Sequence, residues 1–117
     1  MAGPVTFVLN SGPAAESTAT AIKLAERILA RGHRVAVFAH DEAATLTAGK
    51  GETAQAIAAL IRRGVHGATL DWVVDSAAAD RLGVADSQIA GVVPGDHADL
   101  WAFVRGSAIV LSPGTAA

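Results

Sequence analysis

The chain has 117 residues, 51% hydrophobic and 17% charged, with nine Lys and Arg against eleven Asp and Glu and a net charge of −2. That length holds one domain, residues 1–117, and the apolar content excludes a disordered chain. A slightly acidic chain with 4% aromatic residues has neither the basic surface nor the stacking platforms of a nucleic-acid binder.

Cysteine is absent, so no disulfide, thiolate zinc site, iron–sulfur cluster or persulfide can form on this chain. No apolar run approaches the about 18 residues of a membrane span. The opening Met1-Ala2-Gly3-Pro4 has no basic n-region. The expectation is a cytoplasmic protein that binds neither nucleic acid nor membrane. Its apolar residues are rich in alanine and poor in large side chains, which suits a small layered domain that draws on subunit contacts for full stability.

Strand-like and helix-like segments alternate. Val5–Leu9 is rich in β-formers and ends at the turn residues Asn10-Ser11-Gly12-Pro13. An amphipathic helix is expected over Ser17–Arg31, with Ile22, Ala25, Leu29, Ala21, Leu24 and Ile28 inward and Gly32 as its stop. Arg34–Ala39 reads as the second strand, followed by a short helical piece over Glu42–Ala48 and a helix over Glu52–Arg63 with Ala54, Ile57, Ala58 and Ile61 buried and Gly64 ending it. Ala68–Val74 reads as the third strand and Ser76–Leu82 as a short helix closed by Gly83. Val92-Val93 reads as a minimal fourth strand stopped by Pro94-Gly95. Asp96, with Asp99 three residues on, signals a capping box for a helix to about Arg105, and Ala108–Leu111 reads as the fifth strand.

Five short strands with helical crossovers imply an α/β fold, a parallel sheet with helices on both faces. Ligands of such sheets sit outside the carboxyl ends of the strands. The residues there are Asn10, Ser11 and Gly12 after the first strand, His40 and Asp41 after the second, Asp75 and Ser76 after the third, and Gly95, Asp96 and His97 after the fourth. His33 and His66 fall at strand starts, on the opposite edge, where solvated loop positions are expected.

Nucleotide-loop patterns are missing. Gly49-Lys50-Gly51-Glu52-Thr53 lacks the spacing and the position of a P-loop, and Ser11-Gly12-Pro13 lacks G-x-G-x-x-G. His40, Asp75 and His97 lack ligand spacing on one element, so no metal site and no cofactor is expected. Asp75 suits a helix N-cap. Asp71 interrupts an apolar strand and is expected to pair with an Arg or to face a subunit contact. Trp72 and Trp101 read as core or interface anchors.

Three stretches resemble the DsrE/DsrF-like family of small sulfur-relay proteins. They are Ser11-Gly12-Pro13 followed by a helix and Gly32-His33-Arg34-Val35-Ala36-Val37-Phe38; Val74-Asp75-Ser76-Ala77-Ala78-Ala79-Asp80-Arg81-Leu82-Gly83; and Ile89-Ala90-Gly91-Val92-Val93-Pro94-Gly95, a helix, and Ser107–Ser112. The resemblance covers nearly the whole chain, and the order and spacing of the stretches carry it. It implies a three-layer α/β/α sandwich with five parallel strands, and trimers or hexamers built of one chain or of related subunits. Active members pass persulfide sulfur through a cysteine at the end of the third strand, where this chain has Asp75. The resemblance therefore implies a non-catalytic binding or scaffold subunit related to intracellular sulfur relay. The alternative is a small-molecule-binding protein or enzyme that uses Asp75 with His40 or His97 at the strand ends.

Overall fold

The computed structural model describes residues 4–63, 70–107 and 109–112. Five strands form one sheet: β1 (Val5–Leu9), β2 (Val35–Ala39), β3 (Leu70–Asp75), β4 (Val92–Gly95) and β5 (Ile109–Leu111). Between them lie helices α1 (Glu16–Ala30), α2 (Glu52–Arg63), α3 (Ser76–Arg81) and α4 (His97–Gly106), with 3₁₀ turns at Asp41–Thr45 and Ala85–Ser87. The strand order is β4-β3-β2-β1-β5, and every pairing is parallel.

The order explains the layers. The chain steps in one direction from β1 to β4 through α1, α2 and α3, then returns across the sheet through α4 to β5. Right-handed crossovers put the first three helices on one face and α4 on the other. Packing agrees. Phe7, Leu9, Val35, Val37, Ala39, Leu70, Trp72 and Val74 alternate along β1, β2 and β3 and meet Ala21 and Ala25 of α1, Ile57 and Leu60 of α2, and Ala78 and Ala79 of α3. The α4 face is covered only in part. Thr6, Ala36, Phe38 and Val73 are buried there, yet α4 buries none of its own residues. Val93 is 55% exposed and Val110 39%. Thr6 hydrogen-bonds Ser107, tying the end of α4 to β1. β2, the middle strand, is buried at all five positions.

Several elements differ from the sequence reading. α1 starts and ends one residue early. Leu24 is 40% exposed, and Thr18 takes an inward place instead, its hydroxyl donating to the Gly12 carbonyl at 2.9 Å. In α2, Leu60 is buried while Ala58 and Ile61 are half-buried. The piece after β2 is a 3₁₀ turn over Asp41–Thr45, shorter than the helix expected to Ala48. β4 runs through Pro94 and Gly95, which pair with Val74 and Asp75. A proline is admitted here because β4 is an edge strand, where an outward position has no ladder bond to lose. Gly64, His66, Ala68 and Ala108 lie outside the described residues. Gly32 and Gly83 have φ of +87° and +72°, as helix stops after α1 and α3 require.

Candidate functional site at the strand ends

The parallel registers line up the strand ends. Leu9 pairs with Ala39 and Ala39 with Val74, so Asn10, His40 and Asp75 follow as one row across β1, β2 and β3. The Leu9–Ala39–Val74 row faces α1–α3, so the next row belongs to the α4 face. Phe38, two residues before His40, lies with its ring centroid 6.3 Å from the imidazole, which places His40 on that face. The ladder continues into the row, since the His40 amide donates to the Leu9 carbonyl at 2.9 Å.

Asp41 adopts φ +51°, the only positive φ outside glycine among the described residues. In a continuing strand its side chain would point away from His40. The left-handed backbone, which costs roughly 1 kcal/mol and is best tolerated by Asp or Asn, accompanies a contact between neighbours. His40 Nδ1 lies 3.1 Å from Asp41 Oδ2. The other oxygen, Asp41 Oδ1, is 3.5 Å from an Arg81 guanidinium nitrogen, both side chains being about 60% exposed.

Asp75 stands at the N-cap position of α3 but makes no capping hydrogen bond. Its ψ of 115° belongs to an extended residue still paired, through Gly95, to the edge strand. Among the described residues the Asp75 carboxylate, half-buried, has no hydrogen-bond or ion-pair partner. Asp96 differs: its side chain accepts from the amides of Ala98 at 2.9 Å and Asp99 at 3.2 Å, and Asp99 accepts from the Asp96 amide. Asp96 is thereby committed to capping α4.

The candidates do not converge on one pocket. Asn10, Ser11, Gly12 and Asp41 line an open groove of about 560 Å³ together with Pro13, Ala14, Ala15 and Glu42. Ser76 lines a different cleft of about 350 Å³ on the α1–α3 face, with Val74, Ala79, Asp80, Ile89, Val92 and Pro94 among its walls. Gly95 is buried and closely covered by Asp99, so it serves packing. His97 opens α4 and is exposed. Glu42 was missed. Its signal is the acidic Asp41-Glu42 pair that directly follows a strand end. Gln88 was missed too. It bonds Thr47 through Oε1 and donates to the Ala44 carbonyl at 2.9 Å, pinning the segment before β4 to the 3₁₀ turn after β2.

Asp71 is exposed on the α4 face without an ion pair among the described residues. Trp72 is 2% exposed, and its indole N–H has no partner there. Trp101 is 63% exposed, so only one of the two tryptophans is a core anchor. No group of three or more metal-ligating side chains is found among the described residues, and none of the described helices is long and apolar enough to cross a membrane.

A model of the DsrE/DsrF-like family matches residues 4–113. Among solved structures, the fold is similar to the YchN protein of E. coli, with a TM-score of 0.80 and 19% identity, over 94% of this chain and 98% of that one. It is also similar to MTH1491 of Methanobacterium thermoautotrophicum, described as a protein of unknown function, with a TM-score of 0.77 and 15% identity, over 95% and 99% of the two chains. No curated protein matches the sequence.

Proposed function

The chain belongs to the DsrE/DsrF-like family, and from that membership we propose that it is a non-catalytic binding or scaffold subunit related to intracellular sulfur relay, working beside a cysteine-bearing partner. The carrying observation is Asp75. It ends β3 and precedes α3, where the family resemblance expects the sulfur-carrying cysteine, and the chain has no cysteine elsewhere. A carboxylate forms no sulfur–sulfur bond, so sulfane sulfur cannot rest here.

The half-covered sheet supports the assembly part of the reading. Val93, Val110, Ile109 and Trp101, 39–63% exposed, lie on the edge strands and on α4. Exposed large apolar side chains of this kind suit burial between subunits. The assembly is a trimer or hexamer of this chain or of related DsrE-like subunits, in the cytoplasm. The test mixes the purified chain with a cysteine-bearing DsrE-like protein and follows assembly by analytical ultracentrifugation. Co-sedimentation, with sulfur found only on the partner, supports the reading. Two independent species, each of unchanged size, overturn it.

A second reading keeps the strand ends for a small molecule, with Asp75 and His40 acting on it. The shared row of His40 and Asp75 favours it. His97, which starts α4 after the capping box, has no such support.

A further inference from the structure

We propose that the cleft between α3 and β4 binds a small organic amine, its protonated nitrogen at Asp80 and its apolar body against the sheet. The proposal goes beyond both readings above, since neither Asp75 nor His40 lines this cleft. Its size, its rigid wall and its charge carry it. The cleft holds about 350 Å³, within the roughly 300–1,000 Å³ of small-molecule sites. Its floor is apolar. Val74 and Pro94 are paired neighbours on β3 and β4, Val92 shares their face of the sheet, and Ala79 of α3 is buried beside them. The wall formed by residues 85–89 is held by hydrogen bonds directed away from the cleft. Gln88 bonds Thr47 and donates to the carbonyls of Ala44 and Val84. The Ile89 amide donates to the Thr47 carbonyl and the Gly49 amide to the Ser87 carbonyl, each at 2.9 Å. This segment cannot settle onto Val74 and Ala79 without breaking those bonds, so the cleft is preformed.

Among the described residues Asp80 is the only charged side chain in the lining. Ser76 and Asp80 are four residues apart on α3 and share one face of it. Neither side chain has a partner among the described residues. Asp80 also stands in the last turn of α3, where the helix dipole disfavours a carboxylate, so its charge does nothing for the fold there. Arg81 does not neutralise it, because consecutive helix residues diverge and the Arg81 guanidinium is engaged with Asp41. A carboxylate and a hydroxyl beside apolar walls select a compact cation with N–H donors on an apolar body. An ammonium has three donors about a point charge and can serve both oxygens at once. An anionic ligand of the same shape would meet like charge, and a neutral one would leave Asp80 unpaired.

The experiment titrates isotope-labelled protein with phenethylammonium, phenethyl alcohol, phenylpropionate and methylammonium at neutral pH and constant ionic strength, and follows the amides of Ala79, Asp80 and Ile89 by NMR. Saturable shifts are expected with phenethylammonium and weaker binding with the alcohol, which has the body without the charge. Phenylpropionate and methylammonium should not saturate. Asp80→Asn should weaken phenethylammonium binding at least about fivefold, the upper scale of a partly exposed ion pair, and leave the alcohol unchanged. Ala85→Phe, which fills the cleft from an exposed position on its wall, should abolish binding of both. The amide spectrum of each variant reports whether it is folded. The unfolding midpoint of Asp80→Asn should match or exceed that of the parent, which separates a ligand role from a structural one. Shifts that rise linearly with phenethylammonium, equal binding of phenethylammonium and phenylpropionate, or unchanged affinity in folded Asp80→Asn overturn the proposal. Assembly size, measured on the same samples, separates its failure from failure of the scaffold reading.

Discussion

The carboxylate oxygen of Asp99 lies 2.8 Å from where a Cβ on Gly95 would stand, and a methyl of Val73 lies closer still. Gly95 is therefore the point at which α4 and β3 close over the edge strand, and its missing side chain serves packing. Gly95→Ala should lose about 1–3 kcal/mol, the scale of overpacking against neighbours that cannot retreat. Gly106→Ala, with nothing within 4 Å of the added carbon, should stay within about 0.5 kcal/mol of the parent. Urea unfolding of both variants decides. Equal midpoints would mean that β4 yields freely at Gly95.

Asp96 and Asp75 occupy the same formal position, the residue before a helix, with different consequences. Asp96→Ala should cost about 1 kcal/mol, because two amides of α4 lose their acceptor. Asp75→Ala should cost less than about 0.5 kcal/mol, since no capping bond is lost. Thermal melts of the two variants test the contrast, and a larger loss at Asp75 would refute it.

That pair also shows what was legible in the sequence. The Asp96–Asp99 box is local, so spacing alone reveals it. The α2 boundaries, Glu52–Arg63, were readable for the same reason: the apolar period and the flanking glycines act within a few residues. Asp75 has equally good local credentials but is still paired to Gly95 across the sheet, a relation between residues 20 apart that no local pattern encodes. Pro94 misled in the same way, because its tolerance depends on β4 having one neighbour. Topology was enough to name Asn10, His40 and Asp75 as strand-end residues, but not to show that Asn10, Ser11, Gly12 and Asp41 line one groove while Ser76 lines another, which follows from the face each residue takes. Leu24, counted as core, is 40% exposed because the buried stripe of α1 runs through Thr18, Ala21 and Ala25.

The purified chain should sediment and scatter light as a trimer or hexamer of the 11.8 kDa subunit. Val93 and Trp101 are 55% and 63% exposed, and removing such side chains from water is the main drive for association. Charged substitution by Val93→Glu should shift the population toward monomer. A monodisperse monomer of the parent chain at micromolar concentration would sink the assembly argument.

Incubation with a cysteine desulfurase and cysteine should leave the intact mass unchanged. The chain has no thiol, and thiolate is the group that accepts sulfane sulfur. A stoichiometric gain of one sulfur on the parent protein would require chemistry that these residues do not provide.

Asp75→Cys places a thiol at the end of β3, beside the first amides of α3 and next in the row to His40. Unpaired amides and a neighbouring imidazole that can take a proton both favour the thiolate, and such surroundings bring cysteine from about 8.5 down to about 3.5–7.5. The short α3, six residues from Ser76 to Arg81, argues for the upper part of that range. The variant should therefore alkylate with iodoacetamide at lower pH than a cysteine placed at exposed Ala77, and should take up one sulfur from a persulfide donor. Folding should survive, because Asp75 caps nothing. Adding His40→Phe to Asp75→Cys should move the alkylation profile back toward that of the control, which separates the imidazole's contribution from that of the amides. A thiol at position 75 that titrates like the control, or that stays unreactive in the folded protein, would show that Asp75 does not occupy the relay position. The family's fold would then persist in this chain without its functional geometry.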